Sequence, residues 1–240
     1  MIAAHQTMLA PQGAPLGSVE FTRGGGLNNP LHVSGAFSAI PSAWTVSLWA
    51  KSATASGYGG FFKLGNQADG GGIGLGMGGN RFQSGYSGRN LVVLREGVAW
   101  DNLGSAGTLA AWHHYAITVN GTSYIAYRDG TQFATITGTV QTSGSCDIGI
   151  GTGYSNDPME SNDRNFAGNI TRLALWNRAL SASEIATDYA DGKNAPTTTS
   201  GLQHFWPMSS ADNYLADAVG SATLTAGTGG VTISTDTPFA

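Results

Sequence analysis

The sequence predicts an all-β protein, a sandwich or barrel of antiparallel strands, on three observations. Short β-type runs alternate with turn signals from Ser18 to Asn177. Glycine supplies 36 residues while Asp, Glu, Lys and Arg together make 11% of the chain, against a usual ~25%. Two hairpin dipeptides, Asn120-Gly121 and Asp129-Gly130, each separate two alternating apolar runs. With 41% apolar residues in 240, the chain can bury one large core without a disulfide or metal staple. Only 4 Glu and 3 Lys occur, too few for the charged faces of long helices.

The elements follow in order. Residues 1–17 carry two prolines and no periodicity, and read as an extended arm. Ser18–Thr22 is the first strand. Trp44–Ser52 alternates, with Trp44, Val46, Leu48 and Ala50 on one face and Thr45, Ser47, Trp49 and Lys51 on the other. Gly60–Leu64, Ile73–Met77, Arg81–Ser84 and Asn90–Leu94 are shorter strands. Trp112–Val119, Ser123–Tyr127 and Gln132–Thr137 form a meander closed by the two dipeptides, each expected to make a type I′ turn. Ile148–Ile150 is a further short strand, and Phe166–Trp176 is a later one, bent at Gly168. One helix follows over about Ala182–Ala190: Ser181 and Glu184 spell a capping box, Leu180 and Ile185 a hydrophobic staple, and Gly192 the C-terminal stop. Leu202–Met208, Ala222–Thr225 and Gly230–Ser234 are the last strand-like pieces.

The blocks Ser18-Val19-Glu20-Phe21, Trp44–Lys51, Trp112–Ala116 with Tyr127–Gly130, Phe166–Ile170, and Leu175–Ser181 with Glu184-Ile185 resemble, in that order, the laminin-G-like branch of the concanavalin A-like lectin/glucanase jelly rolls. The likeness runs over residues 18–193 and implies a jelly-roll β-sandwich. Such a fold hosts lectins, adhesins, glycosidases and structural modules alike, so it says little about function. Leu202–Met208 and Asp217–Gly220 look like the strand that opens such domains, yet stand late in this chain. The expected organisation is therefore an arm over 1–17 and one jelly roll over 18–240, completed by strands from about residue 202.

Charge and motif narrow the chemistry. A net charge of −4 argues against binding nucleic acid through its phosphates, and no apolar run reaches the ~20 residues of a membrane span. Cys146, the one cysteine, reads as a small buried apolar residue. Glycosidases place two carboxylates about the scissile bond, and the glucanases of the resembled superfamily carry them on an E-x-D-x-x-E strand. Glu20, Glu96 and Glu160 have no Asp two residues later, and Glu184 with Asp188 reads as an i,i+4 pair on an exposed helix. His113 and His114 fall on opposite faces of one strand and no G-x-S-x-G elbow accompanies them. Gly74–Gly79 spells G-x-G-x-x-G but runs on into a strand-like segment rather than a helix, so the dinucleotide reading fails. Its alternating glycines leave one strand face bare, suited to close backbone packing.

Two loop groups remain. Tyr58, Tyr86, Trp100 and Tyr154 lie in or beside glycine-rich loops, with Arg89 near, and suit stacking and hydrogen bonding to a sugar. Asp157, Glu160, Asn162 and Asp163 offer the oxygen ligands calcium takes, with a solvated acidic loop as the alternative. No cofactor is required. Asn120-Gly121-Thr122 and Asn169-Ile170-Thr171 are glycosylation sequons, set aside because the N-terminal stretch makes a poor export signal. The expected role is non-catalytic: a virion decoration or fibre-type surface module, made in a host cytosol and released by lysis. Its partners would be neighbouring subunits, held through the 1–17 arm, and cell-surface glycans. A bacterial adhesion or carbohydrate-binding module is the alternative.

Overall fold

The computed structural model describes residues 17–22, 31–37, 39–53, 59–65, 72–78, 90–95, 98–108, 110–140, 146–152, 165–210, 213–227 and 231–239. Within them the chain is a two-sheet antiparallel sandwich with a single helix. The strands are β1 (Ser18–Phe21), β2 (Leu31–Phe37), β3 (Ala43–Ser52), β4 (Gly59–Gly65), β5 (Ile73–Gly78), β6 (Asn90–Arg95), β7 (Ala99–Ser105) and β8 (His113–Asn120). Then come β9 (Ser123–Arg128), β10 (Thr131–Thr137), β11 (Cys146–Ile150), β12 (Gly168–Trp176), the helix α1 (Ala182–Asp191), β13 (Leu202–Trp206), β14 (Thr225–Ala226) and β15 (Val231–Ser234). One sheet runs β10-β9-β8-β3-β12-β1-β15, with β13 also on β12; the other runs β14-β2-β11-β4-β5-β6-β7. The predicted arm lies, except for Gly17, outside the described residues, as does the predicted strand Arg81–Ser84. Among the described residues no helix is long and apolar enough to cross a membrane.

Between the sheets, Trp44, Val46, Leu48 and Ala50 of β3 meet Phe62, Leu64, Ile73, Leu75, Met77, Ile148 and Ile150 from the facing sheet. The other face of β3 is covered as well. Thr45 and Ser47 are fully buried, because α1 and its approach cover that face through Leu180 and Ile185, joined by Trp176, Tyr127 and Phe205. The capping box forms as predicted: Glu184 N donates to Ser181 Oγ at 3.3 Å and Ser181 N to Glu184 Oε2 at 2.8 Å.

Local chemistry corrects several expectations. Asp129 and Gly130 both take positive φ, 51° and 74°, and make the type I′ turn. At the other hairpin Asn120 stays in the ladder opposite Ser123, so the turn is Gly121-Thr122, with positive φ only at Gly121, the pattern of type II′. β12 starts at Gly168 and its irregularity falls later, at Arg172, whose φ is 53°. The reason lies in the side-chain pattern. Ile170 faces the core, and so do Leu173 and Leu175. Strict alternation cannot satisfy both sets, and a one-residue bulge between them restores the face. Cys146 begins β11 rather than preceding it. Leu31–Phe37 and Ala99–Ser105 are strands without a prior signal, and of the expected run Ala222–Thr225 only Thr225 is in a strand, β14 being Thr225–Ala226.

The late strands belong to both layers: β13 and β15 lie in one sheet and β14 in the other. β1 pairs the first half of β12 and β13 the second half, on the same edge. At the join, Thr171 Oγ1 lies 3.2, 3.0 and 3.3 Å from the carbonyls of Gly17, Pro207 and Met208.

The glycine stripe of β5 tests the packing reading. A Cβ on Gly76 would stand 2.5 Å from the carbonyl of Gly59 and 2.8 Å from Gly60 Cα, whereas one on Gly74 meets nothing nearer than 3.5 Å. Gly76→Ala is therefore expected to lower stability by about 2–3 kcal/mol through backbone displacement. Gly74→Ala should stay within about 0.5 kcal/mol of the parent. Paired thermal melts check the contrast.

Candidate functional site

The strand register puts one end of the second sheet at the centre of the site. Gly59 pairs Met77, Gly78 pairs Asn90, Asn90 pairs Ser105, and Ile150 pairs Leu31 and Phe62. Gly60 also bridges Asn165. The termini of β4, β5, β6, β7 and β11 thus stand side by side. Tyr58 immediately precedes Gly59, Arg89 precedes Asn90, and Tyr86 falls between Gly78 and Asn90. Tyr154, Asp157, Glu160, Asn162 and Asp163 fall between Thr152 and Asn165. All eight lie outside the described residues, so the structure brings together the strand ends that bracket them. Trp100 is separated: its backbone lies in β7 opposite Leu94, beside the Arg95–Ala99 pair at the far end. Its side chain lies outside the described residues.

The strand ends are held stiffly. Thr152 Oγ1 donates to Asn165 Oδ1 at 2.9 Å in a buried setting. Gly59, at φ 119°, leaves no room for a Cβ, which would lie 2.4 Å from the Asn165 carbonyl. From the other sheet, Arg128 Nη1 donates to the Ser105 carbonyl at 2.8 Å and Tyr115 Oη to the Ala106 carbonyl at 2.7 Å. Burial pushes the Tyr115 phenol well above its usual range, so it remains a donor. Rigid strand ends are where binding loops are commonly mounted.

The two histidines do separate work on opposite faces of β8. His113 Nδ1 lies 2.7 Å from Asp129 Oδ2, while Asp129 Oδ1 accepts the His114 amide at 3.0 Å. Its other ring nitrogen packs against Gly107, where a Cβ would stand 2.8 Å away. The pair braces the Asp129-Gly130 turn. A second pair repeats the device: Asp217 Oδ2 lies 2.7 Å from His204 Nδ1, and Asp217 Oδ1 accepts the Phe205 amide at 3.0 Å.

His114 belongs to an ion cluster that sequence reasoning missed. Asp188 is fully buried rather than exposed, because it shares the inward face of α1 with Ile185. Its Oδ1 accepts from Arg172 Nη1 at 2.9 Å and its Oδ2 lies 3.1 Å from His114 Nε2. Burial alone would raise this carboxyl. The His114 hydrogen bond and the Arg172 charge outweigh it and hold the group at about 2. The cluster rivets the helix to the sheet and, at 1% and 0% exposure for the Arg172 and Asp188 side chains, meets no ligand from solvent. The available signal was an arginine inside the apolar run Ile170–Trp176.

Other acids are engaged too. Asp101 pairs with Arg95 at 2.6 Å, Asp147 accepts the Gly35 amide at 2.7 Å, and Glu184 takes a two-bond clasp from Arg178. Among the described residues no three His, Cys, Asp or Glu side chains gather as a metal site. Cys146 is buried, and burial followed by the neighbouring Asp147 charge pushes its thiol up to about 11, which makes it inert. The Tyr124 hydroxyl is buried without a hydrogen-bond partner among the described residues. Tyr124→Phe is accordingly expected to leave stability unchanged or raise it by up to about 1 kcal/mol in denaturant melts.

A laminin G family model, described as the concanavalin A-like lectin/glucanases superfamily, matches residues 25–186. A candidate carbohydrate-binding protein from Bacteroides ovatus superposes with TM-score 0.65 at 15% identity, over 94% of this chain and 61% of that one. The chain thus spans less than two thirds of that protein's length. The heptameric SAP-like pentraxin of Limulus polyphemus gives TM-score 0.62 at 14% identity, over 92% and 95% of the two chains. The CBM40 of Ruminococcus gnavus IT-sialidase, solved with α2,3-sialyllactose, gives 0.52 at 13% identity, over 72% and 98%. At such identities the likeness is one of fold. No curated protein matches the sequence.

Proposed function

The chain belongs to the concanavalin A-like lectin/glucanases superfamily through its laminin G branch, and on that premise we propose that it is a non-catalytic carbohydrate-binding module. Its ligand site is the end of the sandwich where β4, β5, β6 and β11 terminate. The observation that carries this reading is the convergence of the strand ends bracketing Tyr58, Tyr86, Arg89 and Tyr154. Tyrosine faces stack on sugar C–H surfaces and arginine bonds hydroxyls, and loops on a rigid sheet are where such groups act. The carbohydrate-binding protein of Bacteroides and the sialyllactose-bound module of Ruminococcus support it. The non-catalytic part rests on the acids. Asp129, Asp188, Asp217 and Glu184 are each committed to a structural partner rather than facing another carboxylate across a cleft.

A glycan array with the full chain tests it. Specific binding is expected, and Tyr86→Ala or Tyr154→Ala should abolish it while leaving the melting temperature in place. An array without specific binding, or binding indifferent to both changes, overturns the reading, and turnover of a β-glucan would replace it with hydrolysis. Trp100, at the opposite end of β6–β7, is expected to contribute nothing to that binding.

The finer parts of the proposal are separate. Calcium at Asp157, Glu160, Asn162 and Asp163 predicts heat on titration and a raised melting temperature; a solvated acidic loop gives neither. A virion or cell-surface setting, with the 1–17 arm against neighbouring subunits, predicts that deleting residues 1–16 abolishes attachment and spares the fold.

A further inference from the structure

Beneath α1, the sheet that carries β3, β8 and β12 presents a row of small side chains. Ser47 of β3 stands opposite Ala116 of β8 on one side and Ala174 of β12 on the other, and all three are fully buried. Polar atoms gather about this row without a hydrogen-bond partner among the described residues: Ser47 Oγ, Trp49 Nε1, His114 Nδ1 and Arg172 Nη2. Each belongs to a residue at least nine-tenths buried. Register makes them neighbours. Trp49 is two residues along β3 from Ser47 and pairs with His114, the two rings lying 5.5 Å apart. Asp188 ties in the rest. It bonds Arg172 through the other guanidinium nitrogen and His114 through the other ring nitrogen, and Ser47 favours its charge from outside hydrogen-bond geometry. Arg172 Nη2 stands 4.0 Å from Asp191 Oδ2, too far for a direct bond.

We propose that this trough is an internal water site, sealed as α1 closes over the sheet, whose water bonds Trp49 Nε1 and at least one of the other three atoms. Buried polar groups almost always have a partner, and several orphans in one place mark bound water where the surroundings are polar and roomy. The row Ala116, Ser47 and Ala174 supplies the room, since nothing longer than serine rises there from three adjacent strands. The donor set selects water over an ion. Arg172 Nη2 and Trp49 Nε1 can only donate. The Asp188 carboxylate is ionised and only accepts, so His114 Nε2 carries the proton, and in the neutral ring Nδ1 accepts. Water accepts from the first two and donates to the third. A halide cannot answer His114 Nδ1, and a cation cannot answer the two donors. The Arg172 and Asp188 charges already offset each other, so the trough suits a neutral guest.

The test is a crystal structure of the full chain grown with sodium bromide, at a resolution that shows single waters, together with solution NMR. The expected map has an oxygen peak within about 3.2 Å of Trp49 Nε1 and of at least one other of the four atoms, with no anomalous bromide signal on it. In solution the Trp49 indole proton should give water cross-peaks of opposite sign in NOE and ROE spectra, the mark of a long-lived bound water rather than proton exchange. Ser47→Val puts a second methyl-sized group into the trough and should weaken that cross-peak severalfold. Bromide at the site, a map with no peak there, or a Trp49 indole proton without the water cross-peak overturns the proposal. So does a cross-peak as strong in Ser47→Val as in the parent.

Discussion

Replacing Arg172 by methionine is expected to lower the free energy of unfolding by about 3–5 kcal/mol, the range for removing one member of a buried ion pair. The guanidinium is 1% exposed, bonds Asp188 at 2.9 Å and the Asn194 carbonyl at 2.7 Å, and lies over the Phe205 ring at 5.9 Å. Methionine fills comparable space, so the loss measures the charge left behind. Asp188, fully buried, would keep His114 and, more weakly, Ser47 as neighbours that favour its charge. A companion variant makes the assignment specific. Arg172→Met with Asp188→Leu removes both charges, and most of the loss should return, because apolar replacement of a whole buried pair is often neutral. Equilibrium denaturation in urea reads both. A single-variant loss under about 1 kcal/mol would mean that the pair behaves like a surface salt bridge.

This cluster also shows how far the sequence could be read. Alternation in Trp44–Ser52, the Asp129-Gly130 turn and the Ser181–Glu184 box were legible because each depends on neighbours within a few residues. The bulge at Arg172 depends on which face Leu173 must take, and that is set by the facing sheet. Asp188 looked solvent-facing because its i,i+4 relation to Glu184 is local, while its burial comes from β12 and β8 beneath the helix. The turn at Gly121 slipped by one residue because Asn120 finds a ladder partner in Ser123. The tyrosines of the candidate site stand out in the sequence by residue type and position beside glycine-rich stretches. The structure contributes the register that puts their flanking strand ends side by side, and the same register sends Trp100 to the other end. Neither follows from spacing along the chain, since pairings such as Ile150 with Phe62 are non-local.

Asp217→Asn should cost about 3 kcal/mol at neutral pH and flatten part of the acid limb of stability, as expected when a buried charge acceptor is replaced by a group that also donates. The carboxylate is 1% exposed and receives five donors: His204 Nδ1 at 2.7 Å and the amides of Phe205, Val219, Gly220 and Ala222 at 3.0, 3.1, 2.9 and 3.1 Å. Burial would raise this group, but the His204 bond and the backbone amides win and bring it from 3.8 to about 2. Because the folded value is depressed, its stabilisation is present above pH 3.8 and is lost as pH falls toward 2, a contribution on the order of 2 kcal/mol. Asp188 and Glu184, also held at about 2, act in the same direction. Glu184 is a third exposed, so solvent screens its share. The parent should therefore lose stability steeply between about pH 4 and pH 2, and the variant should start lower and fall less over that window. Urea midpoints measured at several acidic pH values decide it. Parallel parent and variant curves would mean that the five donors hold the Asp217 side chain by shape rather than by charge.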